Sequence, residues 1–454
     1  MPVRPEAIAL HSMRLGDTIP HLSREGWGTI LSLLVFGATY VGILTERIHR
    51  TLVVIIGAVA MLAIGTWLSF YSPEQASAAA DANTIALLLG MMVLVGMFRE
   101  TGLFEYVAVW VAKLARGRSW LLFIYLGAAT TIVSMLLDNV TTIILMIPVT
   151  MSLADILGIP MIPFLIGEVM LSNVGGVGTL IGDPPNILIG SAAGLTFTDF
   201  ITHLFPVVLV VWVIAQLLLL LLFRKDLMKR PEHIEQLMAT DERKALTQPR
   251  AARRLLVVLG GTVVLFFVHG NIGLESGIVA LIGACAGLLW LWPDVKKALD
   301  EVHWDVLLFF IGLFVIVGGL EAAGALDIVA ETIASLSQHG IILAALVILW
   351  VSAFMSAVVD NVPFTIAMLP ILGSLSAHGV DAGPLWWALA LGVGFGGNAT
   401  PVGATANVIV MSYSSKTRYP ITTRMWLRQG LPTTLVTCVA ASLLLILAIT
   451  TGWY

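Results

Sequence analysis

Two eleven-residue stretches constrain this chain more than anything else in it. DNVTTIILMIP (Asp138–Pro148) returns as DNVPFTIAMLP (Asp360–Pro370), 222 positions later. Other anchors keep nearly the same shift: Gly90 with Gly312, Val95-Gly96 with Val317-Gly318, and Gly102 with Gly324. Further on, TLIGDPPN (Thr179–Asn186) answers TPVGATAN (Thr400–Asn407). One such match could be chance, but a nearly common shift across all of them is a duplication. The reading is a polar extension (1–26), a first repeat (27–223), a polar linker (224–253) and a second repeat (254–450).

What each repeat is made of follows from its apolar blocks. Of the 454 residues, 58% are hydrophobic and 11% charged, and the mean hydropathy is +0.96. Soluble domains carry roughly 25% charged residues. A bilayer-spanning helix needs about 20 predominantly apolar residues, so the chain has room for about ten. The fold class is an all-α polytopic membrane protein with about five spans in each repeat. The apolar runs 120–151 and 341–371 are cut by Asp138-Asn139 and Asp360-Asn361. They read as re-entrant hairpins, because non-helical backbone at membrane depth survives only where protein buries it or a wet cavity lines it. The first block, 27–45, is long enough to span and is not a cleavable signal.

Basic residues set the orientation. Arg47 and Arg50, then Arg99–Arg118, nine between Arg224 and Arg254, Lys296-Lys297 and Lys416–Arg428 make 21 of the 24 Lys and Arg. The loops 71–83, 190–203, 270–275 and 321–340 have none. The linker is therefore expected in the cytoplasm and both termini outside, in a bacterial inner membrane. Basic loop 99–118 corresponds to 321–340, which has no Lys or Arg, so equivalent loops fall on opposite sides and the repeats are inverted. Inverted repeats with broken helices, binding cargo near the midplane, are the architecture of secondary transporters.

Four acids sit in apolar surroundings: Asp138, Glu168, Asp183 and Asp360. Charge at that depth is costly and marks function by default. Asp138 and Asp360 are the natural proton carriers, and each could equally cap the helix that follows. Asp183 starts the Pro184-Pro185 turn, and its repeat partner is Ala404; Glu168 is matched by Ala390. Around them lie Asn139, Thr142, Ser172, Asn173, Thr179 and Asn186, then Asn361, Thr365, Asn398, Thr400 and Asn407. These can complete a substrate site beside unwound helix ends. Helix packing also uses small polar residues, but paired Asn, Pro and Asp in both repeats exceed that need. No Lys or Arg is expected at membrane depth.

Enzyme readings find no support. There is no GxxxxGK[ST] loop, no HExxH and no CxxC, and Cys285 and Cys438 lie away from the motifs. No cofactor or metal is implied. The linker's nine basic residues are offset by five acids, so nucleic acid is not a partner.

DNVTTIILMIP, SNVGG–GTLIGDPPN, DNVPFTIAMLP and GGNAT–VGATANV resemble the ArsB/NhaD/P-protein branch of the ion transporter superfamily, across about 27–450. The resemblance implies an inverted repeat of ten to twelve helices with two hairpins, scaffold and transport regions, and commonly a homodimer. Members include arsenite/antimonite efflux permeases, sodium/proton antiporters and the melanosomal P protein. An Asn-, Thr- and Ser-rich site suits neutral, hydroxyl-rich arsenous acid, so proton-coupled arsenite/antimonite efflux ranks first. Sodium/proton antiport ranks second and a passive channel third. A cytoplasmic ATPase partner on the linker stays open.

Overall fold

The computed structural model describes residues 24–454, apart from 46, 230, 232–233, 240, 378–380 and 418–419. The N-terminal extension lies almost wholly outside the described residues. The first half contributes α1 (Arg24–Thr45), α2 (Arg50–Leu68), α3 (Ala82–Arg99), α4 (Leu103–Leu114), α5 (Ser119–Leu136), α6 (Asn139–Leu157), α7 (Ile162–Gly176), α8 (Pro184–Ala193) and α9 (Phe205–Leu222). The second contributes α10 (Pro249–Val268), α11 (Ser276–Leu291), α12 (Trp304–Ala322), α13 (Asp327–Gln338), α14 (Ile341–Val358), α15 (Asn361–Ala377), α16 (Gly383–Gly396), α17 (Thr405–Ser415) and α18 (Thr423–Thr450). Short helical turns fill the connections. Among the described residues there is no strand, and ten helices are long and apolar enough to cross a membrane. α10 begins at Pro249, inside the expected linker, because proline at the first helical position suits a helix start.

Helix n of the first half corresponds to helix n + 9 of the second, and the packing exchanges partners accordingly. α2 lies on α12, while α11 lies on α3; α8 lies on α15, while α17 lies on α6. α9 packs on its own counterpart α18. This reciprocity is the mark of a two-fold relation between the halves.

Hydrogen bonds between loops show that the relation is inverted. Arg99 pairs with Glu301, Thr51 bonds the carbonyl of Asp305, Thr247 that of Glu100, and Lys113 pairs with Glu242. These segments share one face. Thr29 bonds the carbonyl of Ala323, Asn83 bonds Ser191, Thr198 bonds the carbonyl of Phe267, and Tyr454 that of His203. Those share the other. The chain therefore leaves α3 on the first face, at Arg99, and leaves the equivalent α12 on the second, at Ala323.

Each half holds one hairpin. α5 and α6 pack side by side across a two-residue joint, as do α14 and α15. Leu137 (φ −126°, ψ 160°) and Val359 (φ −122°, ψ 147°) are both extended, which ends the first arm. The following aspartate then caps the second arm. α7 and α16, which pack against these hairpins, are buried on almost every side. A helix apolar all round belongs inside a bundle.

Candidate functional site

The site is built where four helix ends meet: the two hairpin tips, and the breaks between α7 and α8 and between α16 and α17. Both breaks are held by one device, repeated. Asn186 donates to the carbonyls of Val177 (2.8 Å) and Thr179 (2.7 Å), and Asn407 to those of Gly397 (2.7 Å) and Thr400 (2.9 Å). Thr179 bonds the carbonyl of Met135 and Thr400 that of Ala357, each at 2.6 Å. These satisfy carbonyls that a broken helix leaves open, which is the condition for keeping it at depth. Glycine is required here. A Cβ on Gly182 would stand 2.5 Å from the Gly176 carbonyl oxygen, and one on Gly403 would stand 2.6 Å from that of Gly397.

At the centre lies Asp183, 1% exposed. Asn139 donates to its Oδ1 at 3.2 Å, and Asn361 to Oδ1 and Oδ2 at 3.4 and 3.3 Å. One amide thus comes from each hairpin tip. Asn139 also donates to Asn173 Oδ1 at 3.3 Å, and Asn173 donates to Asn398 and Asn407, both at 2.9 Å. Asn398 in turn donates to the Met170 carbonyl at 3.1 Å. All these groups are buried. The result is one connected amide network around a single carboxylate, drawn from both repeats.

Of the remaining candidates, Ser172 bonds Ser134 at 2.9 Å in the α5–α7 contact, and Thr365 bonds the carbonyl of Asn361 at 2.8 Å. Thr142 is fully buried, and its hydroxyl has no partner among the described residues. Glu168 is buried against Thr150 at 2.7 Å and shares no hydrogen bond with the central network. Asp138 and Asp360 stand at the tips as helix caps: Asp138 accepts from Thr141 N at 2.8 Å and Asp360 from Val362 N at 3.3 Å. The structure corrects one expectation. Arg50, assigned to a loop by charge counting, starts α2 and reaches Asp360 Oδ2 (3.2 Å) and Thr405 Oγ1 (2.8 Å). A long side chain can carry its charge well away from its own Cα, so a basic group does stand at a hairpin tip. Among the described residues, no cluster of three or more His, Cys, Asp or Glu could hold a metal.

The citrate transporter family profile matches residues 40–392. The chain belongs to that family, CitMHS. An uncharacterised transporter of Mycobacterium tuberculosis (strain H37Rv) is 38% identical over 429 residues, 92% of this chain and 98% of that protein. The human P protein is 32% identical over 512 residues, covering 93% of this chain and 60% of the longer P protein. In fold, the chain resembles the Alcanivorax borkumensis YdaH transporter, whose crystal structure is described as having an unusual topology. The TM-score is 0.59 at 15% identity, over 95% of this chain and 99% of that one. The protein is thus a multi-pass membrane transporter of the CitMHS family. The expected ArsB/NhaD branch is a finer assignment than these likenesses carry.

Proposed function

We propose that this CitMHS member is a proton-coupled secondary transporter that exports a small neutral hydroxylated solute, arsenous or antimonous acid, in exchange for protons. The observation that carries the reading is Asp183, buried between one amide from each repeat. A buried carboxylate at this depth, with Asp138 and Asp360 nearby, needs a proton or a cation as company. Bound hydroxyls would donate to ionised Asp183 while accepting from Asn139 and Asn361. A proton added to an Asp183 oxygen removes the negative acceptor and weakens that hold. Cargo and proton therefore compete for the same atoms, and competition at a shared site is what makes an exchanger. Because every contact is a hydrogen bond, cargo can leave as well as bind.

Asp183 takes the coupling role in this proposal, ahead of Asp138 and Asp360, whose oxygens already serve helix caps. Citrate, the family's namesake, is disfavoured: among the described residues no basic group hydrogen-bonds the central network, and Arg50 is already paired with Asp360. The closely bonded centre also favours a gated carrier over a passive channel. The orientation follows from the basic loops, with linker and Arg50 on the cytoplasmic face. A second reading, sodium/proton antiport, is favoured by the Asp183 carboxylate itself, whose oxygens suit a hard cation once the Asn139 and Asn361 amides turn to present oxygen.

Proteoliposomes holding the purified protein, under an imposed pH gradient, separate these readings. Arsenite accumulation that collapses with the gradient supports the first. Sodium-driven proton movement without arsenite flux sinks it in favour of the second.

A further inference from the structure

A cavity of about 590 Å³ is lined by Arg47, His49, Arg50, His303 and Asp360. A second, of about 40 Å³, is lined by Asp138, Pro184 and Val362, and again by Arg50 and Asp360. Arg50, Asp360 and Thr405 border both, together with His303 and Phe309 among others, between a wide vestibule and a chamber that reaches Pro184, next to Asp183. The chamber has room for a few water molecules, since one needs roughly 10–15 Å³ of such volume.

This boundary is tied by three bonds and a ring. Arg50 donates to Asp360 (3.2 Å) and Thr405 (2.8 Å), and Thr405 donates to Asp360 Oδ2 (2.6 Å). The Arg50 guanidinium also lies 5.3 Å from the centre of the Phe309 ring. Arg50 belongs to α2 of the first repeat, whereas Asp360 is the tip of the second hairpin. The bridge is mostly shielded, with side-chain exposures of 31% and 12%.

Among the described residues, nothing equivalent stands at the other tip. Counting 222 positions on from Arg50 reaches Ile272, and 221 back from Thr405 reaches Pro184, which has no hydroxyl. Among the described residues, Asp138 has no ion pair.

We propose that the Arg50–Asp360–Thr405 bridge is a one-sided gate, with Arg50 the positioning residue that pins the second hairpin tip and closes the vestibule off from the inner chamber lined by Pro184. Opening it lets water and cargo pass between the two cavities from the Arg50 face only. The gate concerns access, so it stands whichever cargo the centre takes, and its test reads accessibility rather than flux.

The test places a single cysteine at Val362, which lines the chamber and not the vestibule. Cys285, the exposed native thiol, is replaced by serine; Cys438 is buried. A membrane-impermeant maleimide is then added to either face of sealed, oriented vesicles. With Arg50 intact, labelling of Val362→Cys is slow from both faces. Arg50→Ala speeds it at least about tenfold, equivalent to about 1.4 kcal/mol, from the Arg50 face alone, and Arg50→Lys restores most of the shielding. Unchanged labelling in Arg50→Ala overturns the proposal. So does equal acceleration from both faces, which marks general loosening. Should Arg50→Ala misfold, Thr405→Val supplies the same comparison. Loss of arsenite transport with intact gating would fault the proposed cargo and leave the gate standing.

Discussion

The two hairpin tips begin with the same tripeptide, Asp-Asn-Val, and part company at the fourth residue. In the first, Thr141 supplies both its backbone N–H (2.8 Å) and its hydroxyl (2.6 Å) to Asp138, so that carboxylate is satisfied within its own turn. In the second, the position is Pro363, which has neither group to give. Asp360 therefore looks outward, to Thr405 and Arg50. The compensating exchange is visible in the other motif, where Pro184 of DPPN becomes Thr405 of ATAN. Duplication preserved the cap and divided its partners: one tip is self-contained, and the other is tied to the opposite repeat. The shared asparagines, Asn139 and Asn361, kept one job, holding Asp183.

The sharpest way to break this comparison is to show that a tip aspartate, and not Asp183, carries coupling. Asp183→Asn is expected to bring gradient-driven accumulation to background, because an amide cannot take up and release the proton. Asp138→Asn keeps a side-chain oxygen that can accept from Thr141 N and cap the helix, so it is expected to cost little stability and to keep measurable accumulation. Transport in proteoliposomes checks both. Accumulation that survives Asp183→Asn and vanishes in Asp138→Asn would reverse the assignment.

Stability should rank the tips the other way. Arg50→Ala leaves Asp360 without its charge partner. Breaking a fully buried pair costs about 3–5 kcal/mol, and the partial exposure of Arg50 reduces this to about 2 kcal/mol. Thermal unfolding in detergent should show a larger loss for Arg50→Ala than for Asp138→Asn. Giving the second tip the first tip's chemistry tests the cause. Pro363→Thr supplies Asp360 with a local donor, so the Arg50→Ala penalty should shrink in that background by about 1 kcal/mol. An unchanged penalty would mean the fourth residue does not explain why Asp360 turns outward.

Much of this was legible in the sequence, for definable reasons. Repeated motifs expose a duplication, and the sidedness of basic residues exposes its inversion. A polar pair inside an apolar run marks a hairpin tip. The asparagines were found because they recur in both copies beside helix breaks. Arg50 was not found, since its partner lies 310 residues away and charge counting places it in a loop. Symmetry also draws the weighing away from Asp183, to which the proposed function gives the coupling role. Its counterpart is Ala404, so a search for paired acids favours Asp138 and Asp360. Two inverted halves can enclose one central carboxylate contributed by a single half, and pairwise matching undervalues such a residue.

The linker extends the difference between the halves to their outer ends. It is fastened to the first repeat: Lys113 on α4 pairs with Glu242, Ser119 at the start of α5 bonds the carbonyl of Lys229, and Gln248 N bonds that of Thr101. The hydrogen bond from Lys113, with the Glu242 backbone amide behind it, holds the Glu242 carboxyl below the usual carboxylate range. A carboxylate lowered in this way stabilises the docked linker fully above its undocked pKa, about 4.3. That contribution is lost as pH falls through the docked value. Hydrogen exchange of 234–247, corrected for the intrinsic pH dependence of amide exchange, should therefore be level from pH 7 to 5 and rise below about 4. Glu242→Gln should raise it modestly at pH 7 and flatten the acid response, while exchange around the second hairpin stays unchanged. This is the smallest effect, since solvent-facing ion pairs contribute little. If Glu242→Gln leaves both the level and the acid response as they were, Ser119 and Gln248 hold the linker without help from the ion pair.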